Sequence, residues 1–112
     1  MKITRTRSPF TYGGETLLLD ATGCYHDGPM AVRVIGEDGE PWAVLSVNLP
    51  ESKTLPKNHF FLKNWSENRG IALAAEKAGL IEAANPFIYE PVHTGFVSAP
   101  VYTLTTKEVS AA

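Results

Sequence analysis

The amino-acid sequence predicts an α+β fold, in which a bent antiparallel sheet of about five to six strands carries one packed helix at about residues 67–78. Three observations support this fold class. Segments of strand type recur along the chain, turns that contain glycine join several of them, and one stretch has the spacing of an amphipathic helix. The chain of 112 residues suits a single domain with one hydrophobic core.

The first half of the chain is predicted to form four strands. Residues 1–12 carry basic and hydroxyl side chains and are interrupted by a proline, which is typical of an edge strand or an extended arm. Gly13-Gly14 then predicts a hairpin with a strand at 15–22. Asp38-Gly39 predicts a second hairpin, whose two strands lie at 30–36 and 42–49 and are therefore antiparallel neighbours.

The second half begins with an aromatic strand at 59–65, where both alternating faces are apolar, as in an interior or partly covered strand. Two prolines enclose the polar residues before it, which predicts an exposed loop. After the helix, a short strand is expected at 80–83, and prolines break the next segment into a loop with short extended pieces. A last strand is predicted at 101–106, followed by a frayed tail at 107–112.

The helix is the clearest local feature of the sequence. Ser66 or Asn68 can cap its first amides, and Gly79 stands where a left-handed residue ends a helix. Small and apolar side chains at helical spacing predict a stripe that packs closely on a sheet: Ile71, Ala74, Ala75 and Ala78.

Composition excludes several classes of function. Ten basic and twelve acidic residues give a formal charge of −2, so no overall positive field attracts nucleic acid. The single cysteine, Cys24, excludes an internal disulfide bond, and the N-terminal residues do not resemble a secretion signal. No apolar run approaches the roughly 20 residues that cross a bilayer. We therefore expect a cytoplasmic protein with no membrane partner.

Four short segments occur in an order that resembles a known family. They are VNLP at 47–50, SENRG at 66–70, AGLI at 78–81 and GFVSAPVY at 95–102. This pattern is similar to domain of unknown function 4313, a small family of phage, plasmid and conjugative-element proteins, over about residues 36–104. The resemblance implies an accessory gene of a mobile element, a setting that includes anti-CRISPR and other anti-defence inhibitors. It supplies no catalytic residue.

One cluster contains side chains that can bind zinc. Cys24, His26 and Asp27 lie together, and His59 or His93 could complete a metal site. Cys-x-His is not a usual zinc spacing, and a polar turn is the favoured interpretation. Catalysis by Cys24 with His26 would also need an oxyanion pocket, which the sequence does not indicate. We predict no catalytic residue, no metal and no cofactor, and therefore a protein that is not an enzyme.

Basic and aromatic residues near the N-terminus offer a route to nucleic acid. Lys2, Arg5 and Arg7 lie close to Phe10 and Tyr12, and such a strip binds single strands in other proteins. Three charges neutralise few phosphates, however, and charged side chains also protect edge strands from unwanted pairing. Nucleic acid is therefore a possible partner but not the favoured one.

The favoured function is that of a non-enzymatic binding protein, which blocks the surface of a host or defence-system protein and is itself a monomer or homodimer. The acidic turn at 37–40 and the loop at 51–58 are the proposed charged contacts, together with the N-terminal arm. The polar residues around Trp65 are better explained as a helix cap, although the indole remains a candidate anchor. The candidate partner-binding residues are Arg5, Arg7, Glu37, Asp38, Glu40, Glu51, Lys53, Lys57 and Trp65.

Overall fold

The computed structural model describes residues 7–26, 28–65, 68–94 and 97–105, which form ten strands, a 3₁₀ helix at Pro50–Thr54 and the helix α1 at Asn68–Lys77. The predicted α+β class is confirmed. The strands, in chain order, are β1 (Arg7–Tyr12), β2 (Glu15–Cys24), β3 (Met30–Gly36), β4 (Pro41–Val44), β5 (Ser46–Val47), β6 (His59–Leu62), β7 (Ile81–Ala83), β8 (Val92–Thr94), β9 (Val97–Ala99) and β10 (Val101–Leu104).

The strands lie in two antiparallel four-stranded sheets and one hairpin. The first sheet has the order β1-β2-β3-β4, the second has the order β5-β6-β10-β7, and β8 pairs with β9. The two sheets meet at Leu45, whose N–H donates to the Val32 carbonyl and whose carbonyl accepts from Lys63, at 2.8 and 2.6 Å. The predicted bent sheet therefore consists of two short sheets, because the strand expected at 42–49 changes neighbours at Leu45.

Ser46 completes the backbone hydrogen bonding at this bend. Its hydroxyl accepts a hydrogen bond from the Val32 N–H at 2.9 Å, where a continuous strand would have offered a carbonyl. Val32 is fully buried, so its N–H requires a partner within the protein. A serine at this position therefore lets the chain turn from one sheet to the other without leaving a buried donor unpaired.

Both predicted hairpins of the first sheet are present. Gly13 and Gly14 have φ values of 60° and 80°, which glycine adopts without strain, and they place Tyr12 opposite Glu15. At the second hairpin, Gly39 has a φ of 88° and joins β3 to β4. β1 is an edge strand from Arg7 onward, whereas residues 1–6 and 107–112 lie outside the described residues.

The helix α1 packs against β1 and β7, the outer edges of the two sheets, and so covers the concave side of the bend. Ile71, Ala72 and Ala75 are buried there. Ala72 takes the place predicted for Ala78, which is exposed, because the helix faces two sheet edges rather than one flat sheet. The buried residues of this inner core are Phe10, Leu17, Leu19, Ala21, Met30, Val32, Val34, Leu45, Phe60, Leu62, Ile71, Ala72, Ala75, Ile81 and Leu104.

The ends of α1 are fixed by specific hydrogen bonds. Gly79 has a φ of 79°, its N–H donates to Glu76, and the Leu80 N–H donates to Ala75, which together make the predicted Schellman motif. At the other end, the Asn68 side chain donates from Nδ2 to the Val44 carbonyl at 2.6 Å. This bond ties the helix to β4, whereas the alternative cap Ser66 lies outside the described residues.

The outer face of the second sheet is covered by residues that the sequence predicts as a loop with short extended pieces. Phe61, Ala99 and Val101 form a second buried cluster there. Partly buried apolar side chains pack on this cluster from the 3₁₀ helix region, from the β7–β8 connection, which includes Tyr89, and from Trp65 between β6 and α1. Phe60 and Phe61 thus point to opposite covered faces, which confirms β6 as an interior strand. In the part of the chain that is described, no helix has the length and apolar character needed to cross a membrane.

Candidate functional site

The outer face of the first sheet carries a row of charged side chains across three strands. The register places Arg7 of β1 opposite Asp20 of β2, and Asp20 opposite Arg33 of β3. All three residues alternate with buried core positions, so their side chains share the face that points away from the core. We call Arg7, Asp20 and Arg33 the arginine row.

Asp20 holds the two arginines in place. Its side chain has 0% exposure, Oδ2 accepts a hydrogen bond from Arg33 Nε at 2.9 Å, and Arg33 Nη2 forms an ion pair with the same oxygen, also at 2.9 Å. Arg7 Nε lies 3.6 Å from the same oxygen, and Oδ1 accepts from the N–H and the hydroxyl of Thr22 at 3.0 and 2.6 Å. Both arginine side chains remain more than half exposed. The row therefore presents two fixed cations against one buried anion.

The pKa of Asp20 agrees with this arrangement. Burial by itself raises the pKa of a carboxyl group, but the hydrogen bonds from Thr22 and Arg33 and the charge of Arg33 outweigh that effect. The pKa of Asp20 is consequently below its ordinary value of 3.8, and the carboxylate is ionised at neutral pH. The row carries a net charge of about +1 under these conditions.

Apolar side chains lie beside the arginine row on the same face. Pro9 pairs with Leu18 and Leu18 with Ile35, two residues further along each strand. Pro41 of β4 is exposed and pairs with Ile35, so it continues this band, whereas Val44, which is 50% exposed, lies directly opposite Arg33. A β-bulge in β4 interrupts the alternation at Trp42. A Cβ atom on Gly36, which pairs with the core residue Leu17, would come within 3.2 Å of Trp42 Nε1, so the indole lies toward the core side of the sheet.

The acidic hairpin turn lies at the far end of this face. Glu37, Asp38 and Glu40 are exposed on the connection between β3 and β4, and Asp38 Oδ1 accepts a hydrogen bond from the Glu40 N–H at 3.0 Å. Glu37 follows Arg33 by four residues, which corresponds to roughly 13 Å along the strand direction. The outer face therefore presents positive charge, then an apolar band, then negative charge.

The remaining predicted contacts lie elsewhere. Glu51 and Lys53 are exposed on the 3₁₀ helix, and Lys57 is exposed shortly before β6. Trp65 is half-buried against the second cluster, so much of its indole serves packing. Arg5 lies outside the described residues. The structure therefore brings Arg7 together with Glu37, Asp38 and Glu40 on one sheet but leaves the other candidates apart from them.

The basic and aromatic strip considered for nucleic acid is divided by the sheet. Arg7 points to the outer face, whereas Phe10 is buried in the core and Tyr12 packs partly against it. Neither ring is displayed beside Arg7 for stacking with a base. Lys2 lies outside the described residues.

The residues considered for zinc also occupy separate places. Cys24 ends β2 and is exposed, His26 is exposed in the turn that follows, and Asp27 lies outside the described residues. His59 stacks on Tyr89 with 5.0 Å between ring centres, and His93 is exposed in β8. Within the described ranges, no three His, Cys, Asp or Glu side chains are grouped so that they could hold a metal.

Sequence reasoning missed Asp20, Arg33, Pro41 and Val44 as members of the site. Alternation places each of them on one strand face, but only the pairing of β1 to β4 joins these faces into a surface. The one available signal was Asp20, a charged residue that directly follows a run of three leucines in a predicted strand.

Together these features define a small α+β domain in which one sheet face carries positive charge at one end, negative charge at the other and an apolar band between them. Comparison of the chain with protein-family models, curated proteins and solved structures gives no match.

Proposed function

We propose that this chain is a non-enzymatic protein-binding domain that occupies a surface of another protein through the outer face of its first sheet. The observation that carries the proposal is the order of charges on that face. The arginine row, the apolar band of Pro9, Leu18, Ile35 and Pro41, and the acidic turn at 37–40 follow one another along the strands of the first sheet.

This order favours a protein as the partner. Charge complementarity fixes the register of a protein interface, and a protein can offer acidic and basic groups at separate positions. A nucleic acid presents phosphate charges along its whole length, so the acidic turn would repel it wherever the arginine row attracted it. Asp20 further halves the positive charge of the row.

The resemblance of four segments to a family from phages and plasmids supports a more specific proposal. The domain acts in the cytoplasm as an anti-defence inhibitor of a mobile element, in the manner of an anti-CRISPR protein, and blocks a host or defence-system protein sterically. Val44 is the expected apolar contact on this face, because it is 50% exposed and lies directly opposite Arg33.

An affinity pull-down of the tagged chain from a lysate of the source cells, with and without nuclease, tests this proposal. We expect one stoichiometric protein that survives nuclease, and we expect Val44→Arg to recover it at least about tenfold less well, because a long charged side chain at a central contact prevents close packing. Leu73→Arg is the matched control, because Leu73 on α1 and Val44 are both 50% exposed apolar residues. Recovery of nucleic acid alone, of nothing above background, or of the same protein by Val44→Arg contradicts the proposal.

A further inference from the structure

The connection between β7 and β8 exposes two adjacent apolar side chains. Phe87 is 95% exposed and Ile88 is 66% exposed, the two highest values for large apolar side chains in the described part of the chain. Single exposed apolar residues are common, but two neighbours that contribute almost nothing to their own core call for a physical reason.

The turn that carries these side chains is ordered by its own hydrogen bonds. The side-chain oxygen of Asn85 accepts from the Phe87 N–H at 2.9 Å. The main-chain carbonyl of Asn85 accepts from the N–H groups of Ile88 and Tyr89 at 3.0 and 2.8 Å. Pro86 restricts the backbone between them. Phe87 and Ile88 are therefore presented in one backbone conformation, which lowers the entropy lost on binding.

Both ends of the turn are attached to the fold. The Ala84 N–H donates to the Val101 carbonyl at 2.9 Å, and Ala84 and Tyr89 pack on the second cluster. The Tyr89 ring lies 5.0 Å from the His59 ring. Because the flanking residues hold the turn, truncation of Phe87 removes an exposed ring without opening the core.

Charge around the turn restricts the possible partner. Residues 80–94 contain two exposed glutamates, Glu82 and Glu90, but neither lysine nor arginine. The exposed Lys57, whose carbonyl is hydrogen-bonded to the His59 ring that contacts Tyr89, offsets one of these charges and leaves the region acidic. A second copy of the chain would bring these acidic groups together, and an anionic membrane surface would repel them. A protein pocket with basic residues at its rim would attract them.

From these observations we infer that Phe87 and Ile88 form a docking knob, which inserts into an apolar pocket with a basic rim on another protein. The knob lies on the layer that covers the second sheet, whereas the surface described above lies on the first sheet. The inference therefore stands independently of the proposed function, and one can fail while the other holds.

Site-specific photo-crosslinking tests this inference. A photoreactive phenylalanine analogue replaces Phe87 in the full chain, and the same analogue at Leu73 is the control, since both positions are exposed and apolar. After irradiation in a lysate of the source cells, we expect one protein to be joined at position 87 and not at position 73. That protein is then purified for calorimetric titration.

In the purified pair, Phe87→Ala is expected to weaken binding by about 30-fold, the change typical of a central anchor, and Leu73→Ala by less than about threefold. Reversal of charge in Glu82→Lys with Glu90→Lys weakens binding further, and added salt weakens binding of the unmodified chain. Val44→Arg leaves this interaction unchanged, which separates the knob from the outer face of the first sheet. Thermal unfolding confirms that each variant is folded.

The inference is overturned if no protein is crosslinked specifically at position 87, or if the only crosslinked protein is a second copy of the chain. It is also overturned if Phe87→Ala binds within about threefold of the unmodified chain, or if charge reversal makes binding tighter. If the chain sediments with phosphatidylglycerol vesicles and the Phe87→Ala variant does not, the knob binds a membrane surface instead of a protein, which also overturns the inference.

Discussion

Replacement of Asp20 by asparagine tests the physical basis of the arginine row. Asparagine has nearly the same shape and keeps an oxygen for the two Thr22 bonds, but it places an NH₂ group toward Arg33. The variant therefore loses the charge-assisted hydrogen bond from Arg33 Nε and the ion pair with Arg33 Nη2, both at 2.9 Å.

The magnitude follows from the number and exposure of these bonds. A hydrogen bond to a charged group contributes about 1.5–3 kcal/mol. The two Arg33 donors share one oxygen, and the half-exposed guanidinium can turn to water, so we count them as one bond near the lower end of that range. Asp20→Asn should lower the free energy of unfolding by about 2 kcal/mol at neutral pH.

The dependence on pH has a definite sign. Because the pKa of Asp20 is lower in the folded protein than its ordinary value of 3.8, the ionised carboxylate stabilises the fold above that value. The stabilisation is lost as the pH falls below 3.8 and through the folded-state pKa. The difference between the two proteins should therefore shrink toward zero in acid.

Urea unfolding followed by tryptophan fluorescence, repeated between about pH 7 and pH 3, measures this difference. Glu15→Gln is the control, since Glu15 is an exposed acid on the same strand and its replacement should cost less than about 0.5 kcal/mol. A double-mutant cycle with Arg33→Met should give a coupling energy of about 1–2 kcal/mol. A loss below about 0.5 kcal/mol for Asp20→Asn, or a loss that is the same at both ends of the pH range, would refute the reasoning.

Two further predictions concern the bend and the helix. Ser46→Ala leaves the buried Val32 N–H without its partner at 2.9 Å, so it should lower the free energy of unfolding by about 2 kcal/mol and speed hydrogen exchange at the Val32 amide. Unchanged exchange would contradict the assigned bond. Gly70→Ala places a Cβ 2.8 Å from the Tyr12 hydroxyl oxygen and should destabilise the chain in urea unfolding. In a Tyr12→Ala background, Gly70→Ala should instead stabilise the chain by about 0.5 kcal/mol, because alanine has a higher helix propensity than glycine. A change in the free energy of unfolding with the same sign in both backgrounds would show that the contact with Tyr12 is unimportant.

Local signals in the sequence predicted most individual elements. Paired glycines at 13–14 predicted a hairpin, and Gly79 followed by Leu80 predicted the end of α1 with its Schellman motif. These features depend on residues close together in the chain, where glycine conformation and short-range hydrogen bonds decide the structure. The strand predicted at 42–49 was less accurate, because its division at Leu45 depends on hydrogen bonds to Val32 and Lys63, which are distant in sequence.

The candidate surface was predictable only in part. Arg7 and the acidic turn at 37–40 were selected from the sequence, because charge and turn composition are visible there. Arg33 and Val44 were not, since each is one residue on an alternating strand until its neighbour across the sheet is known. Phe87 likewise stands in a segment rich in prolines, and its exposure depends on how that segment packs on the second sheet.

The sequence by itself determined that this chain is an α+β domain with hairpins, a single helix and a small net negative charge. Those properties follow from alternation, turn residues and composition, which act locally or on the whole chain at once. The tertiary structure alone decided that Asp20 lies buried between two arginines and that α1 joins the edges of two sheets. Strand register and the bend at Leu45 produce both arrangements, because they bring together residues that the chain keeps far apart.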